Sequence, residues 1–281
     1  MNRKALPYLL LAPATLFLCV FFLYPFVLVA WEAFSRDGQF TLGNFAEMAG
    51  HWKFPVTFQN TMLLAATVVP IQLVLALVMA SVVNRMSFGR SAVLYILAIP
   101  LGISDLAAGI IWLAIFEQSG FLNSLLTGLG IAEQPVQFLG YQNKFSLFVA
   151  VVFAEVWRAT AIMMVIIVAG MGLIPKEYYE AAEVFGATRW QRFWRVTLPL
   201  LRPSLQTAII LRVILAFEVF AVVAALAGTN FPVLMGETYH WQFALQDRNV
   251  AAAFAMLILA ISIGFTLFFL RVLRVPKEAR I

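Results

Sequence analysis

The chain has 281 residues, of which 63% are hydrophobic and only 12% charged, and its mean hydropathy is +0.91. Too few charges remain to solvate the surface of a soluble domain, so that class is excluded. The formal net charge of +5 is spread unevenly along the chain and gives no reason to invoke nucleic acid.

A helix needs about 20 apolar residues to cross a bilayer. Six stretches meet that length, near 7–31, 61–83, 92–116, 145–172, 204–227 and 250–272. Their hydrophobicity is continuous rather than alternating, which argues against barrel strands. The expected fold is an all-α integral membrane protein with six transmembrane helices, and 1–281 forms one domain.

The first stretch follows Asn2-Arg3-Lys4 and resembles a signal peptide. Its apolar core is too long for one, and Trp31-Glu32 is a poor cleavage context, so it reads as an uncleaved span. Cys19, the one cysteine, lies within it and excludes a disulfide framework. Three connectors, about 32–60, 117–144 and 228–249, are each long enough for a short surface helix. Asn60-Thr61 reads as the start of the second span. Pro25, Pro70 and Pro100 lie inside apolar stretches and are expected to bend their helices.

Charges inside the spans are costly, about 2.5–3.5 kcal/mol each on insertion scales. They are Asp105 in the third span, Glu155 and Arg158 in the fourth, and Arg212 and Glu218 in the fifth. Glu155 and Arg158 are three apart and share a helix face, so they form either a mutual ion pair or a polar wall of a path. Trp112, Trp157 and Phe220 either pack or offer faces on which a sugar could stack.

The segment between the fourth and fifth spans differs from the rest. Pro175 suits a helix start, Lys176 to Phe185 is helix-forming, and Gly186 suits a helix stop. Thr188 followed by Gln191 fits a capping box for a second helix, which carries Trp190, Phe193 and Trp194 interleaved with Arg189, Arg192 and Arg195. The expected element is a helix–turn–helix over about 173–203. It either lies along anionic lipid or docks a partner. Ala181 and Ala182 permit close approach, and Glu180 and Glu183 face poorly toward an anionic leaflet but well toward a basic partner.

Placement of Lys and Arg sets the orientation. One side carries Arg3, Lys4, Arg85, Arg90, five cations of the 173–203 segment, Arg271, Arg274, Lys277 and Arg280; the other carries only Arg36, Lys53, Lys144 and Arg248. Both termini are therefore expected in the cytoplasm. No Gly-x4-Gly-Lys-Ser/Thr loop occurs, so the chain is not expected to hydrolyse ATP. His51 and His240 have no Cys or acid cluster around them, so no metal site is expected.

Glu180-Ala181-Ala182, three residues, Gly186, nine residues, then Val196-Thr197-Leu198-Pro199 resembles the coupling-loop signature of ABC importer permeases, with Val196 replacing its Ile. Gly43-Asn44-Phe45, Asn60-Thr61, the Gly120-to-Leu126 run, Glu155-Val156-Trp157-Arg158 and Ala251-Ala252-Ala253 are similar to the sugar-type branch of that family. The chain departs from the branch at Phe220-Ala221 and at the Ala227-to-Pro232 turn.

The resemblance implies a type I ABC importer permease fold, non-catalytic itself, in the cell (inner) membrane. It implies a second, non-identical permease, two ATPase subunits that bind ATP and Mg, an extracytoplasmic solute-binding protein, and a mono- or disaccharide as substrate. Glu180, Ala181, Ala182, Phe185, Gly186, Trp190 and Pro199 would couple to the ATPase. Asp105, Trp112, Glu155, Trp157, Arg158, Glu218 and Phe220 would face the substrate path. Permeases for polyamines, phosphate or metal chelates share the loop, and an ion-driven secondary transporter would also be helical with buried charges.

Overall fold

The computed structural model describes residues 6–140 and 142–274. Arg3, Lys4, Lys277 and Arg280, and with them both termini, lie outside the described residues. In chain order the helices are α1 (Tyr8–Phe34), α2 (Gly43–Gly50), α3 (Phe54–Arg85), α4 (Arg90–Ala98), α5 (Asp105–Phe116), α6 (Phe121–Gly128) and α7 (Lys144–Gly172). They continue as α8 (Lys176–Val184), α9 (Arg189–Leu200), α10 (Arg202–Phe217), α11 (Ala221–Ala227), α12 (Leu234–Phe243) and α13 (Arg248–Val272). Among the described residues five spans are long and apolar enough to cross a membrane, and a sixth results if α9 and α10, bent by 70°, count as one.

The spans differ from the apolar stretches in three places. The second span begins at Phe54, so Asn60-Thr61 lies inside the helix and not at its start. There the Asn60 side chain donates to the Pro232 carbonyl (2.9 Å), and the Leu234 N–H donates to the Thr61 hydroxyl (2.9 Å). The third stretch is broken: α4 ends in a tight 3₁₀ turn over Ile99–Gly102, and α5 starts afresh at Asp105. The fifth stretch is broken at Glu218, where α10 stops and α11 begins three residues later.

Prolines account for several of the irregularities. A proline lacks an N–H and its ring crowds the carbonyl four residues back. α1 answers with a π turn over Cys19–Leu23, in which the Tyr24 N–H reaches the Cys19 carbonyl just before Pro25. α9 repeats the device over Phe193–Thr197, just before Pro199. Pro100 sits in the 3₁₀ turn that ends α4, whereas α3 continues through Pro70 without interruption.

The chain forms two compact units. The first comprises residues up to Pro55 with Met235–Ala260. Its hairpin, β1 (Ser35–Arg36) and β2 (Gln39–Phe40), turns on Asp37-Gly38, both at positive φ, the backbone required by a type I′ turn. Asn44 is fully buried, and its amide donates to the carbonyls of Glu32, Ala33 and Ser35, closing the end of α1. Asn249 donates to the Glu32 and Ser35 carbonyls as well. Arg36 bridges Glu47 and Asp247. The hydrogen bond that it donates to Glu47 and then the charges of both acids hold its guanidinium above the ordinary range.

The second unit comprises Val56–Leu234 and the chain from Ile261. Its core gathers Leu64 and Val68 of α3, Ala108 of α5, and Leu147, Val151 and Ala154 of α7 around Val222, Val223 and Leu226 of α11. Two glycines allow close approach. A Cβ on Gly109 of α5 would lie 2.6 Å from that of Ala225 in α11, and one on Gly170 of α7 would lie 2.2 Å from the Ser204 hydroxyl in α10. At the hairpin end the backbone of α7 thus packs directly against the Ser204 side chain of α10, and these two helices flank the α8–α9 hairpin in sequence.

Candidate functional site: a coupling hairpin and a buried charge cluster

Both parts of the candidate site lie in the second unit. The hairpin forms as its local chemistry dictates. Helix α8 ends in a Schellman motif: the Gly186 N–H bonds to the Glu183 carbonyl (2.9 Å) and the Ala187 N–H to the Ala182 carbonyl (2.9 Å). Gly186 takes φ +73°, where a side chain would be strained. Two residues later the capping box closes, with the Gln191 N–H donating to the Thr188 hydroxyl and the Gln191 side chain accepting from the Thr188 N–H.

The hairpin has an inner and an outer face. Inside, the buried Thr197 hydroxyl donates to that of Tyr179 (3.4 Å). Arg192 of α9 pairs with Glu183 of α8 across the turn. Outside lie Glu180, Ala181, Phe185 and Trp190, with Phe185 89% exposed and Val184 beside it at 86%. Ala182 and Pro199 are half-buried. The two acids therefore part company: Glu183 is engaged within the hairpin, while Glu180 has no ion pair among the described residues. The outer face thus offers a charge beside large uncovered apolar side chains.

The second part is a chain of four charges whose sum is zero. Arg158 bonds to Asp105 (2.7 Å) and to both carboxylate oxygens of Glu155 (3.1 and 3.3 Å). Glu155 in turn accepts from Arg212 (2.8 Å). Arg212 also donates to the side-chain oxygen of Gln72 (2.5 Å), and the Gln72 amide donates back to the Glu155 carbonyl (2.8 Å). Glu155, Arg212 and Gln72 are completely buried, whereas the Asp105 side chain is 52% exposed. The cluster ties α3, α5, α7 and α10 together. Ser104 caps α5 beside it by accepting from the Ala107 N–H (3.2 Å).

The remaining expected path residues sit elsewhere. Trp112 stacks on Phe116 and meets Trp157 edge-on at 6.0 Å, both half-buried against the core. Glu218 is exposed at the break between α10 and α11, and Phe220 is the half-buried residue before α11. No described salt bridge joins Glu218 to the charge cluster.

Residues 72–279 match the family described as the binding-protein-dependent transport system inner membrane component. The chain belongs to this family. It is 30% identical to the trehalose/maltose transport system permease protein MalF of Thermococcus litoralis, over 99% of this chain and 96% of that protein. It is 28% identical to the sn-glycerol-3-phosphate transport system permease protein UgpA of Yersinia pestis, over 93% and 91%. Its fold matches a chain of the bacterial alginate ABC transporter solved with an alginate pentasaccharide-bound periplasmic protein, with TM-score 0.85 and 21% identity, over 97% of this chain and 95% of that one.

As an inner membrane transport component, the chain uses several of its motif residues as staples. Asn44, Asn60 and Thr61 hold turns, and Asn123 exchanges hydrogen bonds with the Val136 backbone (2.9 and 2.8 Å). Gln72 escaped the sequence reading because a single neutral amide scarcely alters the hydropathy of its span. A buried amide still needs partners, and that requirement is the signal that marks it.

Proposed function

We propose that this permease is one of two membrane subunits of an ATP-driven sugar importer and docks an ATPase through the 173–203 hairpin. The observation that carries the reading is the outer face of that hairpin. It presents Glu180, which has no salt-bridge partner among the described residues, beside the small Ala181 and the uncovered Phe185 and Trp190. A basic, apolar groove on a partner would satisfy all of them at once. The relatives' names support the substrate class, a mono- or disaccharide, and the alginate structure supports delivery by a binding protein outside the membrane.

The mechanism follows from the connections. ATP and Mg bind in the partner ATPase, whose closure displaces the docked hairpin. The capping box, the Schellman turn and the Glu183–Arg192 pair make the hairpin stiff. Gly170 against Ser204, and Glu155 against Arg212, lock α7 to α10 at two levels. A push on the hairpin therefore moves both helices together, and through Arg158 and Gln72 it reaches α5 and α3. Rigid-body motion of this kind alternates access across a pathway completed by the second permease.

Glu180→Arg tests the docking. Uptake and substrate-stimulated ATP hydrolysis by the assembled importer should be lost while membrane insertion is retained. Wild-type coupling in that variant rules the docking out. The similarity to a glycerol-3-phosphate permease favours one other substrate reading, a phosphorylated polyol. Competition of sugars against glycerol phosphate for uptake separates the two.

A further inference from the structure

A cavity of about 470 Å³ opens between the end of α3 and the hairpin. Arg85 and Asn84 reach it from α3, and Arg189 and Arg192 from α9. The hydroxyls of Tyr179 and Thr197 line it too, over a floor that includes Met171 and Phe193, and no acid lines it. Of its three guanidinium groups only that of Arg192 has a carboxylate partner, Glu183; Arg85 and Arg189 have none among the described residues. Three cations, the Asn84 amide and the hydroxyls of Ser81, Tyr179 and Thr197 surround a water-accessible space, and no carboxylate there answers Arg85 or Arg189. Phosphate oxygens are the acceptors that guanidinium forks fit best.

The geometry points to a binding site for a phosphate group in this cavity, supplied either by an anionic phospholipid headgroup or by a free phosphorylated metabolite. The surroundings bring the lipid within reach. Phe193 meets the exposed Trp194 edge-on at 5.7 Å, and exposed Trp rings sit at headgroup level in membranes. A phosphate held between Arg85 and Arg189 would join α3 to the hairpin, a link that no described salt bridge makes. The occupied site would then stiffen the same lever that an ATPase moves, although binding itself does not depend on that role.

The full-length chain in detergent serves for the test, by two measurements. Native mass spectrometry compares retention of phosphatidylglycerol with that of phosphatidylcholine, and thermal unfolding compares millimolar inorganic phosphate with chloride. Each basic residue near a membrane surface is worth about a fivefold change in affinity for anionic lipid. Arg85→Gln with Arg189→Gln should therefore weaken retention of phosphatidylglycerol about 25-fold. Glu183→Gln, which frees Arg192, should strengthen it, an effect that a folding defect would not produce. That pattern assigns the site to lipid. Phosphate stabilisation of wild type but not of the double variant, without preference for phosphatidylglycerol, assigns it to a soluble phosphate. If neither probe separates wild type from the double variant, the site does not exist. The same holds if Arg195→Gln with Arg202→Gln, away from the cavity, weakens binding equally.

Discussion

At the residue scale, Glu155 and Asp105 show how burial decides what a charge is worth. Glu155 is enclosed and answers three groups: Arg158, Arg212 and, through its carbonyl, Gln72. Removing it strands Arg212 in a place where neither water nor another acid can reach it. Breaking a buried pair from one side costs about 3–5 kcal/mol. Glu155→Leu should lower the unfolding midpoint in detergent steeply and reduce the amount of inserted protein. Among the described residues Asp105 pairs with Arg158 alone, and its side chain is 52% exposed; exposed pairs are worth about 0–1 kcal/mol. Asp105→Asn should leave stability nearly unchanged. If the two variants unfold alike, the cluster is not the clamp described here. The acids and arginines were legible in the sequence because charges stand out in apolar runs. Their pairing was legible only for Glu155 and Arg158, which share one helix; Arg212 and Gln72 join through tertiary contact.

At the scale of elements, the hairpin was the most legible part, since its signals act within four or five residues. Gly186 stops α8, and Thr188 with Gln191 starts α9. The break at Ile99–Gly102 was legible through Pro100, which is expected to bend its helix; the break at Glu218 was not, because it interrupts only a few residues and a hydropathy window averages over it. The hairpin's geometry also makes a prediction. Gly186 at φ +73° has open space around it, so a side chain there clashes with nothing and only the backbone objects. A β-branched residue in the left-handed region is strained by about 1–2 kcal/mol. Gly186→Val should therefore leave the fold and insertion intact but reshape the turn, so that uptake falls far more than the unfolding midpoint does. Gly186→Asn, which tolerates that backbone, should recover most of the uptake. Equal behaviour of the two variants would mean that the turn's shape is irrelevant to transport.

At the scale of the whole molecule, the distribution of charge makes a claim about sidedness that one experiment can check. Five cations crowd the 173–203 hairpin and two flank the short α3–α4 connector, whereas the longer connectors around Trp52 and Ile131 carry two and one. If cations stay in the cytoplasm, Phe88 and Phe185 face inward, and Trp52 and Ile131 face outward. All four side chains are well exposed, so a thiol placed at any of them can be reached from its own side. With Cys19, the one native cysteine, replaced by Ser, single cysteines at these positions can be labelled in intact cells by a membrane-impermeant maleimide. In cells that express the chain without its ATPase, Trp52→Cys and Ile131→Cys should label, while Phe88→Cys and Phe185→Cys should label only after the membrane is opened. The outcome bears on more than topology. A hairpin that faces outward cannot meet an ATPase, so labelling of Phe185→Cys in sealed cells would remove the proposed energy source together with the orientation. Protection of both Phe88→Cys and Phe185→Cys in sealed cells would place the α3 end of the phosphate cavity on the same cytoplasmic side as the hairpin, where both an anionic leaflet and soluble phosphates can supply its ligand.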